Sequence, residues 1–204
     1  PAFHLFDLNL YKSYPGFGKN RRTLSLVTSR GCWYRKCSFC FSSVMKGQRY
    51  RRNSPDKIIE QIGYFIEKYG IEQIAFNDDD FLFDHAWVKS FCEKFKSKFR
   101  SIYWGCSTRV DSVSLEILKE IKEAGCWFIY YGMETAHQNL LDLLKKNTTI
   151  RQARDAAHWA RKTGLVSEST FMLGLPTETP KMGWETIEFA KEINPTFANF
   201  LLFC

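Results

Sequence analysis

Short apolar stretches alternate with helical patterns along this chain of 204 residues, and this alternation restricts the fold more than any other feature. The first helix is the most clearly marked, because Ser54, Pro55 and Asp56 form a helix start and Gly70 a helix stop. Strands and helices that alternate in this way are typical of a parallel sheet. The predicted strands are 24–27, 71–76, 102–106, 127–131, 166–173 and 197–203, and the predicted helices are 54–70, 84–98, 114–125, 149–164 and 180–194.

Chemically reactive residues follow several of these predicted strands directly. The carboxyl ends of parallel strands meet at one edge of a sheet, and ligands bind at that edge in α/β folds. We therefore predict that the functional site lies there. The residues that follow the strands are Cys32, Asp78, Asp79, Asp80, Arg109, Glu134 and Gly174.

Three of the seven cysteines lie within nine residues, as Cys32, Cys37 and Cys40 in the spacing C-x4-C-x2-C. Thiolates at this spacing hold iron–sulfur clusters or zinc. Function depends on the presence of a fourth protein ligand, because a cluster without one keeps one iron open for chemistry. Cys92 and His85 are the nearest further ligand types, on the second predicted helix. A structural zinc site, or a closed cluster with a structural or electron-transfer role, is the alternative.

The other internal cysteines, Cys92, Cys106 and Cys126, are interpreted as buried core thiols. An odd cysteine total with three crowded together does not indicate a disulfide framework, and reduced thiols fit a cytoplasmic location. The sequence contains no apolar run long enough to span a membrane and no signal-peptide pattern. The net charge of +7 suits an anionic partner such as RNA, but the basic residues are dispersed and favour an ordinary solvated surface.

Four segments resemble the radical S-adenosylmethionine (SAM) superfamily. Most members carry C-x3-C-x2-C with an aromatic residue before the last cysteine, and Phe39 matches that aromatic. Residues 132–135 resemble the glycine-x-glutamate strand end that contacts SAM, and residues 77–80 occupy the place of the second-strand motif, usually Gly-Gly-Glu. Residues 171–176 resemble the fifth-strand segment that packs on adenine. The first spacer has four residues here instead of three, so we expect a bulge in the loop.

The resemblance implies an α/β fold, namely an incomplete (β/α)6 TIM-like barrel with parallel strands, and an enzyme. Cys32, Cys37 and Cys40 would bind three irons of a 4Fe–4S cluster, and the fourth iron would bind the amine and carboxylate of SAM. The reduced cluster would then cleave SAM to methionine and a 5′-deoxyadenosyl radical, with an electron from a donor such as flavodoxin or ferredoxin. The implied SAM-binding residues are Phe39, Asn77, Asp78, Asp79, Arg109, Glu134, Met172 and Gly174.

Several of these assignments have a structural alternative. The aspartates at 78–80 would cap the next turn, Glu134 would form a salt bridge at the strand end, and Arg109 would pair with Asp111. Met172 would belong to the core, which is compatible with a cofactor contact.

Further motifs resemble the subfamily that is often preceded by a cobalamin-binding domain. They are residues 29–32, the aspartate-rich end of the second strand and residues 174–178. A cobalamin-dependent methyltransferase or cyclase is therefore implied, with cobalamin bound by a domain outside this chain. We expect residues 1–23 to be a linker or N-terminal extension and residues 24–204 to be the SAM core. We also expect the polypeptide to extend in both directions, with a region that covers the substrate after Cys204.

Overall fold

The computed structural model describes residues 5, 7, 21–41 and 49–203. Most of the predicted extension 1–23, and Cys204, lie outside these described residues. The strands are β1 (Thr23–Leu26), β2 (Ser29–Arg30), β3 (Arg51–Arg52), β4 (Gln73–Phe76), β5 (Tyr103–Thr108), β6 (Cys126–Glu134), β7 (Val166–Leu173) and β8 (Phe197–Leu202). The α-helices are α1 (Pro55–Tyr69), α2 (His85–Lys98), α3 (Leu115–Glu123), α4 (Gln138–Leu143), α5 (Ile150–Lys162) and α6 (Pro180–Ile193).

Six strands form one parallel sheet in the order β1-β4-β5-β6-β7-β8, with helices in the connections. The predicted α/β class and the parallel sheet are confirmed, and so are all five predicted helices. In the part of the chain that the structure describes, no ladder joins β1 to β8, so the sheet has two edges, as an incomplete barrel requires. Because all neighbouring strands are parallel, their carboxyl ends lie at the same end of the sheet, which we call the carboxyl edge.

Helix α4 and the antiparallel pair formed by β2 and β3 were not predicted. Helix α4 has six residues and β2 and β3 have two each, so none is long enough to show a hydrophobic period. Both features contact the candidate site.

The local signals explain where the helices begin and end. The Ser54 side chain accepts a hydrogen bond from the Lys57 amide at the start of α1, and Gly70 ends this helix with a φ of 62°. The Thr149 and Gln152 side chains form a capping box at the start of α5. No helix among the described residues has the length and apolar character needed to cross a membrane.

The main core lies between the sheet and its helices and is rich in aromatic side chains. Trp104 of β5 and Phe76 of β4 contact Phe81 and Phe91 with ring centroids 4.8–5.6 Å apart. Cys92, Cys106 and Cys126 are buried free thiols in this core, as predicted. This core packs the sheet against its helices.

Candidate functional site

The three clustered cysteines lie on the loop that connects β2 to β3, just beyond the carboxyl end of β1. Cys32 and Cys37 are half-buried, Cys40 is exposed, and all three are free thiols. Ser29 pairs with Arg52 across the β2–β3 ladder, which holds the two ends of the loop together. The strands on either side of the loop therefore lie next to each other.

The four-residue spacer between Cys32 and Cys37 is anchored by its aromatic residues. The Trp33 ring stacks on Phe83 with 4.8 Å between centroids, and the Tyr34 hydroxyl donates to the Lys145 carbonyl at 2.6 Å. Arg35 has a φ of 53°, in the left-handed region, so the backbone turns there. The expected bulge is thus a specific left-handed turn at Arg35.

Asp78 is bound to the segment that enters the cysteine loop. Its side chain is 2% exposed and accepts from the Thr28 amide at 3.0 Å and the Thr28 hydroxyl at 2.7 Å, and also from the Ser29 hydroxyl. Asn77 is exposed and Asp79 is half-buried. The side-chain cap of the following helix, α2, is Asp84. Whether Asn77, Asp78 or Asp79 contacts SAM stays a prediction.

Asp80 connects three parts of the site, a role that sequence reasoning missed. Its carboxylate accepts from Trp33 Nε1 at 2.7 Å, the Thr108 hydroxyl at 2.7 Å, the Ser112 hydroxyl at 2.6 Å and the Arg109 amide at 3.3 Å. Burial raises the pKa of Asp80, while these hydrogen bonds oppose the shift. Asp80 therefore ties the cysteine loop to the end of β5.

Arg109 pairs with Asp111, which was one of the two interpretations of this residue. Nε and Nη2 donate to the two oxygens of Asp111 at 2.8 and 2.9 Å, and Nη2 also donates to the Lys146 carbonyl at 2.8 Å. Nη1 lies 3.8 Å from Cys37 Sγ as a hydrogen-bond donor. Burial lowers the pKa of Arg109, but the Asp111 carboxylate outweighs this and the pKa lies above its ordinary value. The predicted contact with the SAM carboxylate stays a prediction.

Glu134 forms a buried ion pair with Lys146, which sequence reasoning did not identify. The two side chains are 8% and 6% exposed, and Lys146 Nζ also donates to the Gly132 carbonyl at 2.8 Å. A Cβ atom on Gly132 would lie 2.5 Å from Glu134 Oε1 and 2.9 Å from Lys146 Nζ. The glycine of this glycine-x-glutamate segment therefore leaves room for the ion pair. The salt-bridge reading of Glu134 is confirmed, and a SAM contact stays a prediction.

The segment after α4 supports the cysteine loop through its main chain. The Leu144 carbonyl accepts from the Ser38 amide at 2.9 Å, next to the bond from Tyr34 to Lys145. Lys145 and Asn147 both have positive φ values, of 51° and 56°. This segment carries no recognisable motif, so only the tertiary structure identifies it.

Phe39 and Met172 lie in one small apolar cluster at the strand edge, together with Leu140, Leu144 and Leu175. Met172 is 8% exposed, which confirms that it is a core residue. Gly174 follows β7 with a φ of 80°, and nothing lies within 4 Å of the position that its Cβ would take. The structure thus joins the cysteine loop to the end of β7 through apolar contacts.

The donor set at the loop fits an iron–sulfur cluster. Within the described ranges, no three His, Cys, Asp or Glu side chains are grouped around the position of a single metal ion. A cluster distributes its thiolate ligands over several irons and does not require such a group. Burial raises the pKa of the Cys37 thiol, and Arg109 and Lys146 oppose that shift with positive charge. A thiol next to two buried cations, as Cys37 is, suits a ligand of an anionic cluster.

Relatives of known name match nearly the whole chain but only part of their own length. An uncharacterised methyltransferase of Pyrococcus horikoshii is 33% identical over 99% of this chain and 43% of the relative. The anaerobic magnesium-protoporphyrin IX monomethyl ester cyclase of Rubrivivax gelatinosus is 28% identical over 95% of this chain and 35% of the relative. The chain therefore spans less than half the length of these two relatives.

The fold also matches a solved structure. The radical SAM methyltransferase TsrM from Kitasatospora setae, with cobalamin and a 4Fe–4S cluster bound, has a TM-score of 0.81 at 20% identity. The match covers 87% of this chain and 34% of that protein, and it supports the barrel-like fold. The family model of the radical SAM superfamily matches residues 26–190. This chain belongs to the radical SAM superfamily.

Proposed function

We propose that this chain is the core of an enzyme that cleaves SAM reductively on a 4Fe–4S cluster held by Cys32, Cys37 and Cys40. One observation supports the proposal most strongly: the loop with these three free thiols is bound to the carboxyl edge of the parallel sheet. Asp78, Asp80 and the Leu144 carbonyl hold that loop in place. The radical SAM superfamily uses this cluster together with SAM.

When bound and reduced, the cluster supplies one electron to the sulfonium of SAM, which yields methionine and a 5′-deoxyadenosyl radical. The residues of this chain would position SAM and keep water away. The apolar cluster around Phe39 and Met172 would contact the adenine, and Gly174 leaves open space beside it. Asn77, which is exposed, and Asp79, which is half-buried, would accept hydrogen bonds from the SAM amine.

The electron has to come from a partner, and a flavodoxin or a ferredoxin has suitable chemistry. A reducing compartment such as the cytoplasm agrees with the six free cysteines of the described residues. The proposed location is therefore the cytoplasm.

The wider reaction that we propose is cobalamin-dependent methyl transfer or ring formation. The printed names of the two relatives support it, as does the cobalamin bound to the structural neighbour. The cobalamin would be held by a domain outside this chain. Gel filtration of the polypeptide encoded by the full gene, mixed with hydroxocobalamin, tests this part of the proposal. The absorption spectrum of hydroxocobalamin in the protein fractions would support it, and protein fractions without that spectrum would contradict it.

The open iron is tested by the response of the reduced cluster to SAM. After anaerobic reconstitution, we expect about four irons per chain and an electron paramagnetic resonance (EPR) spectrum that changes when SAM is added, because only three cysteines serve as ligands. The Cys126→Ala variant should behave in the same way, since that thiol lies in the core. A complete cluster whose spectrum does not respond to SAM would favour the closed, structural or electron-transfer module.

A further inference from the structure

The Arg109 guanidinium is held in a fixed plane by three acceptors. The two oxygens of Asp111 and the Lys146 carbonyl accept from Nε and Nη2, and the Arg109 residue is 7% exposed. A bidentate pair with a carboxylate fixes both the plane and the direction of the fork. The remaining nitrogen, Nη1, is thereby directed at Cys37 Sγ, 3.8 Å away.

The spacer of the cysteine loop folds over the same guanidinium. Arg109 Cζ lies 4.3 Å from the ring centroid of Tyr34 and 5.7 Å from that of Trp33. Trp33 is bound to Asp80 and Tyr34 to the Lys145 carbonyl, so neither ring is held by Arg109 alone. The contact between Nη1 and Cys37 is therefore fixed both from the sheet and from the loop.

This contact has an electrostatic consequence for any cluster bound to Cys37. A hydrogen bond and a positive charge at a ligand sulfur stabilise the reduced cluster, which carries one more negative charge than the oxidised cluster. Solvent screening is weak at a buried group, and the adjacent Asp111 offsets the charge of Arg109 only in part. The net effect is a higher reduction potential.

We infer that Arg109 tunes the cluster, donating through Nη1 to the sulfur of Cys37 and raising the reduction potential. This inference rests on the proposed cluster. It assigns to Arg109 a role toward the ligand loop, which is distinct from the expected contact with the SAM carboxylate.

The test compares the midpoint potential of the reconstituted protein with those of Arg109→Met and Arg21→Met. Arg21 is a matched control, because its guanidinium also lies over a tyrosine ring, 3.8 Å from the centroid of Tyr103, at the amino end of the sheet. We expect Arg109→Met to lower the equilibrium constant for reduction by about tenfold. This equals a shift of about 59 mV for a one-electron couple, while Arg21→Met should shift the potential far less.

A fully loaded Arg109→Met protein with the parent potential would overturn the inference, and so would an equal shift in Arg21→Met. Failure of the parent to bind any cluster would instead contradict the proposed function. If Arg109→Met does not retain its cluster, pulsed EPR on the Arg30→Lys/Arg35→Lys protein, labelled with ¹⁵N at the arginine guanidinium nitrogens only, decides the question, because it removes the two labelled side chains that flank Cys32. A hyperfine coupling between the reduced cluster and an arginine nitrogen supports the inference, and its absence overturns it.

Discussion

Each of the variants Cys32→Ala, Cys37→Ala and Cys40→Ala is expected to lose the iron–sulfur cluster. The loop supplies three thiolates, and removal of one leaves two ligands for a cluster that needs three protein bonds in this site. Iron and acid-labile sulfide analysis after anaerobic reconstitution, with the visible absorption spectrum, measures the loss.

Cys126→Ala is the matched control for these three variants. Its Sγ lies 3.4 Å from the Phe128 carbonyl, in the core at the amino end of β6 and therefore away from the loop. We expect it to keep a complete cluster with a modest loss of stability. Cys40 is exposed, so we expect Cys40→Ala to fold normally. A complete cluster in this variant would contradict the assignment of the ligands.

Glu134→Ala is expected to destabilise the fold by about 3–5 kcal/mol, because it leaves the ammonium of Lys146 buried without its partner. Lys146→Met should also destabilise the protein, because it leaves the carboxylate of Glu134 buried without its partner. The double variant should lose less than the sum of the two single variants, since neither charge then remains uncompensated. Chemical denaturation of the four proteins without cluster gives the free energy of unfolding for this double-mutant cycle.

The exposed pair between Lys57 and Glu60 provides the control, and Glu60→Ala should change stability little. Strict additivity in the Glu134–Lys146 cycle would contradict the account of the buried pair.

The affinity for SAM is a second property that Glu134 would affect, and it is better measured with Glu134→Gln than with the alanine variant. The glutamine amide still offers Lys146 an acceptor, so a change in affinity then reports on SAM itself.

The fold was largely predictable because its signals are local. Ser54 and Gly70 mark the ends of α1 within the sequence, and the carboxyl ends of the strands follow from the alternation of strands and helices. The placement of Cys32 and Arg109 beyond strands, and of Glu134 at the end of β6, on one edge required only that the sheet be parallel.

The polar network of the site was not predictable to the same degree. Lys146 meets Glu134 through a segment that follows a six-residue helix, and Asp80 meets Trp33 across 47 positions of the chain. Neither contact has a local sequence signal, because each depends on where the sheet brings distant loops together. The same holds for Asp78. Its position beyond β4 could be predicted from the sequence, but its hydrogen bonds from the Thr28 amide and hydroxyl could not.

Reductive cleavage of SAM by the anaerobically reconstituted protein tests the central claim most directly. With dithionite as electron source, we predict that 5′-deoxyadenosine and methionine form in equal amounts and that the amount depends on the cluster content. Cys40→Ala should form neither product, and Cys126→Ala should form both. A protein with a complete four-iron cluster that produces no 5′-deoxyadenosine under these conditions would contradict the account.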